Sequence, residues 1–146
     1  MSNTQYAFLE KGKVPTQQQW QQAIDDLGFD FKIQIDPELT PFEDEGFSPC
    51  IWGETEDDVG FEIFYEPAEE VHEGDEDVLS MIGARDYCIS FCWYGSMKDC
   101  AAVMVASCAL AKSFDAVISY EGEDPEPLEK LISDTKKIIQ EALAEY

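Results

Sequence analysis

Ser96-Met97-Lys98-Asp99-Cys100-Ala101-Ala102-Val103-Met104-Val105-Ala106-Ser107-Cys108-Ala109-Leu110-Ala111-Lys112 is the longest run of small and aliphatic residues in the chain. Strands rarely exceed about ten residues, so a run of this length reads as helix. Ser96 followed three residues later by Asp99 is the S-x-x-D pattern that satisfies free amides at a helix N-terminus. Apolar side chains from Cys100 to Ala111 go almost all the way round. A helix over 97–112 should therefore be buried on most faces and not amphipathic. It falls short of the about twenty apolar residues a membrane span needs, and lysines mark its ends.

Strand patterns flank it at 87–94 and 115–120, and Gly95 supplies the backbone freedom for the strand-to-helix turn. Such a strand-helix-strand unit can be one right-handed crossover between parallel strands, which would make the sheet mixed. Upstream, 59–66 alternates, with Phe61, Ile63 and Tyr65 on one side and Glu62, Phe64 and Glu66 on the other. Residues 29–35 alternate as well and stop at Asp36-Pro37. Shorter strands are expected at 6–9 and 50–53, with a proline-punctuated loop over 38–48 and a mobile loop or broken helical turn over 67–84.

Pro15-Thr16 introduces a helix capped by Thr16 that runs to Leu27 and stops at Gly28. Trp20, Ala23, Ile24 and Leu27 share one face of it. A last helix over 127–144 places Leu128, Leu131, Ile132, Thr135, Ile138, Ile139, Ala142 and Leu143 on one stripe. The pattern predicts a single α+β domain over 1–146. It has about three helices, chiefly on one face of a mostly antiparallel sheet, and the buried Ala-rich helix at 97–112 is central to it.

With 32 acidic and 9 basic residues the chain carries a formal charge of −23. That excludes nucleic acid as a direct ligand and makes a basic partner the natural complement. No lysine or arginine falls between Ile33 and Ala84, where carboxylates crowd. From this stretch come the candidate partner-binding residues: Glu54, Glu56, Asp57, Asp58, Glu62, Glu69, Glu70, Asp75, Glu76 and Asp77. Trp52 joins them as an exposed aromatic that would give affinity where charge gives speed. The plain alternative is an acidic surface tuned for solubility.

Motifs for other chemistry do not form. Glu54-Thr55-Glu56-Asp57-Asp58 and Glu73-Gly74-Asp75-Glu76-Asp77 lack the calcium-loop spacing. The five cysteines include no C-x-x-C pair; Cys88 and Cys92 on one strand would lie about 13 Å apart, too far to share a zinc. Odd in number and set in apolar elements, they read as small hydrophobes in a reducing compartment. His72, the only histidine, has nothing to orient it. Neither G-x-S-x-G nor a glycine-rich phosphate loop is present. No catalytic residue, metal or cofactor is expected, and no secretory signal pattern opens the chain, which suggests the cytoplasm.

Phe91-Cys92-Trp93-Tyr94-Gly95-Ser96-Met97-Lys98-Asp99-Cys100-Ala101-Ala102, with the Ala-rich helix and Ile118-Ser119-Tyr120-Glu121-Gly122-Glu123, resembles the C-terminal half of small bacterial immunity proteins. These are cytoplasmic antidotes to secreted polymorphic toxins. The likeness covers about a third of the chain, and Gly28-Phe29-Asp30 and Gly46-Phe47-Ser48-Pro49 have no part in it. It implies a non-enzymatic inhibitor that blocks its toxin, often with an acidic face against a basic nuclease. Two further readings stand beside it. One is a nucleic-acid mimic occupying a DNA- or RNA-binding protein. The other is an enzyme or small-ligand binder with its pocket between the sheet and the 37–49 loop.

Overall fold

The computed structural model describes residues 3–29, 32–41, 43–53, 55–121, 123 and 125–144, without the side chains of 55–58. The chain opens with strand β1 (Asn3–Leu9), a 3-10 turn at Lys11–Lys13 and helix α1 (Gln17–Asp26). Thr16 caps α1 as its sequence suggests: its hydroxyl accepts from the Gln19 amide at 3.2 Å, and the Gln19 side chain accepts from the Thr16 amide at 3.0 Å. Strands β2 (Ile33–Ile35), β3 (Gly46–Trp52) and β4 (Thr55–Pro67) follow. Of the strand expected over 29–35 only Ile33–Ile35 forms; Phe29 and Lys32 lie outside β2, and Asp30 and Phe31 lie outside the described residues.

The stretch read as a proline-punctuated loop instead contributes Gly46, Phe47 and Ser48 to β3. Pro49 is tolerated there because β2 pairs only with Cys50, Ile51 and Trp52, so Pro49 owes that neighbour no hydrogen bond. Opposite it, Gly60 is required by contact: a Cβ would collide with the Ser48 carbonyl and lie 2.8 Å from the Phe47 ring.

Residues 67–84 are also more ordered than their acidity implied. They form helices α2 (Ala68–His72) and α3 (Glu76–Ile82), which bring the α-helices among the described residues to five rather than about three. Glu73 and Gly74 separate them with left-handed φ angles of 47° and 84°. Asp75 then caps α3, accepting from the amides of Asp77 at 2.9 Å and Val78 at 3.4 Å. The chain closes with β5 (Tyr87–Trp93), α4 (Met97–Ser113), β6 (Val117–Tyr120) and α5 (Leu128–Ala144).

The six described strands lie in the order β2-β3-β4-β5-β1-β6, and every hydrogen-bonded pair among them is antiparallel. Strands β5 and β6 do run parallel, as a crossover demands, but β1 is inserted between them and pairs with both. The α+β reading holds, and the mixed-sheet alternative does not apply to the described strands.

Helix α4 lies along the inner face of the sheet with α1 on one side and α5 on the other, and every residue over 101–110 is buried. Small alanines let both neighbours approach closely. Trp20 of α1 donates its indole N–H to the Ala106 carbonyl at 3.1 Å, and Thr135 of α5 sits 3.2 Å from the Cys108 thiol. Ser96 caps α4, while the Asp99 carboxylate reaches the Gly60 amide of β4 at 3.0 Å, tying helix to sheet.

The outer face is covered only in part. Ile82 and Ala68 of the two short helices pack with Phe8 and Cys88 over the middle of the sheet. Much of β3 and β4 has no described helix above it on this face. No described helix is long and apolar enough to cross a membrane.

Candidate functional site

Alternation along β4 turns Phe61 and Ile63 into the core and leaves Glu62, Phe64 and Glu66 on the outer face. Register sets Phe47 of β3 directly across from Glu62. With Gly60 giving it room, the Phe47 ring lies against β4 and is still 63% exposed; Ile51 is 40% and Phe64 36% exposed. Three large apolar side chains thus stand on one uncovered face, outlined by carboxylates.

Glu66 shows how closely those carboxylates gather. Burial raises its carboxyl above the ordinary value, and the negative charges of Glu70, at the start of α2, and Glu45, just before β3, raise it further; a Ser90 hydrogen bond opposes them in part. Glu62 and Glu66 are half-buried, whereas Glu45 and Glu70 are exposed. The surface therefore offers aromatic area beside carboxylates that repel one another.

Of the residues singled out from sequence, Glu62, Glu69 and Glu70 lie on the outer face or on the helix that follows β4. Asp75, Glu76 and Asp77 are exposed at the start of α3, where Asp75 is occupied as a cap. Glu54 lies outside the described residues, as do the side chains of Glu56, Asp57 and Asp58. Trp52 requires a correction. It is only 2% exposed, because the alternation that buries Ser48 and Cys50 turns it into the core as well, so it is not a surface aromatic. Phe47 and Phe64 hold the exposed position instead. Phe64 was legible as outward-facing, whereas Phe47 was hidden by a segment read as loop.

His72 is engaged locally: its Nδ1 accepts from the Gly74 amide at 2.9 Å. All five cysteines are free thiols. Burial pushes Cys50 and Cys88 up to about 12 and Cys100 and Cys108 up to about 11, so none of these four is a thiolate at neutral pH. Among the described residues no three His, Cys, Asp or Glu side chains converge as a metal-binding group.

Three concave sites lie among the described residues, the smallest of about 340 Å³ beside Phe29 and Ile33. Near the 37–41 loop a groove of about 460 Å³ runs against the start of α1, between Pro15 and Pro41, and its described lining carries no ionisable side chain. It lies against α1 and not between loop and sheet, where a ligand pocket was expected.

The larger cavity, about 630 Å³, has no counterpart in the sequence reading. It opens between α4, α5 and the ends of β1, β5 and β6. Asn3 braces its mouth, donating to the Tyr94 carbonyl and accepting from the Tyr120 hydroxyl, both at 2.9 Å. The rings of Trp93 and Tyr120 stand 6.1 Å apart at 49°. At the inner end, Gln5 donates to the Ser107 hydroxyl at 2.7 Å and the Met104 sulfur at 3.6 Å. The signals that could have marked it were a polar Gln5 within β1 and two tyrosines at strand ends.

No family model matches the chain, and neither a curated protein nor a solved structure matches it.

Proposed function

We propose that the protein is a non-enzymatic, acidic binding protein that neutralises a basic protein partner, as the resemblance to bacterial immunity proteins implies. The observation that carries this reading is the uncovered face of β3 and β4, where Phe47 and Phe64 stand exposed among Glu45, Glu62, Glu66 and Glu70. Contiguous apolar area rimmed by polar groups marks interaction surfaces, and aromatic side chains dominate their energetics.

Charge acts alongside that area. The formal charge of −23 steers a cationic partner toward the molecule, and an arriving lysine or arginine relieves the mutual repulsion around Glu66. In this reading Trp52 serves the core, and affinity rests on Phe47 and Phe64. Buried free thiols fit the reducing cytoplasm in which such an antidote would be held.

The test is affinity capture from the source cell at low salt, run in parallel with the wild-type chain and a Phe47→Ser/Phe64→Ser variant, with bound proteins identified by mass spectrometry. A basic protein retained by the wild type and lost by the variant is the expected outcome. The same proteins on both baits, or only acidic ones, would rule the reading out.

A further inference from the structure

We propose that the cavity between α4, α5 and the β1–β6 edge binds a small organic cation, an amine or ammonium compound carrying an apolar body. Its volume of about 630 Å³ is that of a small-molecule site, for which about 300–1,000 Å³ is usual. Trp93, Met97, Met104, Ile118, Leu131 and Ile138 make the apolar part of the wall. Asn3 and Gln5 are both held by hydrogen bonds to fixed neighbours, so the wall is formed before any ligand arrives.

Charge decides which ligand suits it. Among the described residues, Glu123, Glu126, Asp134 and Glu141 line the cavity against one lining cation, Lys137. Lys130 satisfies Glu126 at 2.6 Å, but no salt bridge among the described residues reaches Glu123 or Glu141. Both act on the wall itself. Beyond the effect of burial, Glu141 raises the Cys100 thiol and Glu123 contributes to raising the Tyr120 hydroxyl.

The positive end of the α4 dipole opens nearby and is countered by Asp99 in the first turn. An anion would meet like charge here, and a neutral apolar molecule would leave the carboxylates unanswered. An ammonium group gains from both the carboxylates and the aromatic faces of Trp93 and Tyr120. The cavity lies on the helix-covered side of the sheet, away from the Phe47–Phe64 face. The occupant is accordingly a free small molecule, and the proposal stands whether or not that face binds a protein.

The test is an NMR titration of the full ¹⁵N-labelled chain with n-hexylammonium, hexan-1-ol and hexanoate as probes. Hexylammonium is expected to bind saturably, to shift the Trp93 indole N–H, and to bind at least about tenfold more tightly than hexan-1-ol, while hexanoate leaves the spectrum unchanged. A Glu123→Gln/Glu141→Gln variant should lose about tenfold in affinity for hexylammonium, and Lys137→Gln should gain a few-fold. All three residues lie at the surface, so unchanged spectra of the free variants will show that they fold. No saturable binding at millimolar concentration, equal affinity for hexan-1-ol, an unmoved Trp93 indole, or unchanged affinity in the double variant would each overturn the proposal.

Discussion

Trp20 shows how far single residues can be read. Its helical spacing with Ala23 and Ile24 placed it in the core. The structure adds an edge-on contact with the Phe91 ring at 6.1 Å and a hydrogen bond to the Ala106 carbonyl. Trp20→Ala should remove about 3–5 kcal/mol of stability, measured by urea denaturation, since it opens a cavity and leaves Ala106 without its side-chain donor. Gly60 is the converse case. No local pattern marks it, because the obstacle to a side chain comes from Ser48 and Phe47 across the sheet. Gly60→Ala should lower stability by about 1–3 kcal/mol in the same assay and should move the Phe47 resonances. Trp52 lay beyond the reach of local reading because Pro49 and Gly53 broke up its strand, and only the full β3 alternation shows which way it turns.

At the scale of elements, α4 was legible because length and unbroken apolarity leave a buried helix few alternatives. Helices α2 and α3 were not: five and seven residues long, they show little periodicity, and their four exposed carboxylates, Glu69, Glu70, Glu76 and Asp77, obscure the apolar residues that pack beneath them. The insertion of β1 between β5 and β6 was likewise invisible, since β1 meets both partners only through pairings far away in sequence, from Leu9 with Tyr87 to Gln5 with Tyr120. Asp75 offers the test of the short helices. Asp75→Ala removes the α3 cap and should cost about 0.5–2 kcal/mol locally. Because α3 helps to cover Cys88, the expected readout is faster modification of that thiol by a disulfide reagent, with the other buried thiols unaffected. An unchanged rate would mean that the cap does not hold α3 in place.

For the whole molecule the dominant quantity is charge, and its segregation into 33–84 was visible without a structure. What the sequence lacked was the face: Phe47 and Phe64 come together only through the β3–β4 register. Several basic side chains are engaged locally, Lys13 with Glu10 at 2.7 Å, Arg85 with Asp115 at 3.0 Å and Lys130 with Glu126 at 2.6 Å, and do not relieve the carboxylates around Glu66. The pH dependence follows. Glu66 and Asp99 have raised values, burial being the first cause of each, so the folded state holds their protons more tightly than the unfolded state does. Their contribution therefore grows as pH falls through the raised values and is complete below the unfolded ones. The opposite shifts of Asp115 and Glu126 are lost only at lower pH, through their depressed values. Thermal stability at low salt should thus rise between pH 7 and about pH 5, and the rise should be smaller in Glu66→Gln or in high salt, as followed by circular dichroism.

The most direct measurement of the central claim is hydrogen exchange on the chain, alone and bound to the basic protein it captures. New protection is expected at 46–52 and 60–66, around Phe47, Glu62 and Phe64, and should weaken as salt is raised. Protection confined to α1, α5 or the 37–41 loop, with β3 and β4 exchanging as in the free protein, would contradict it.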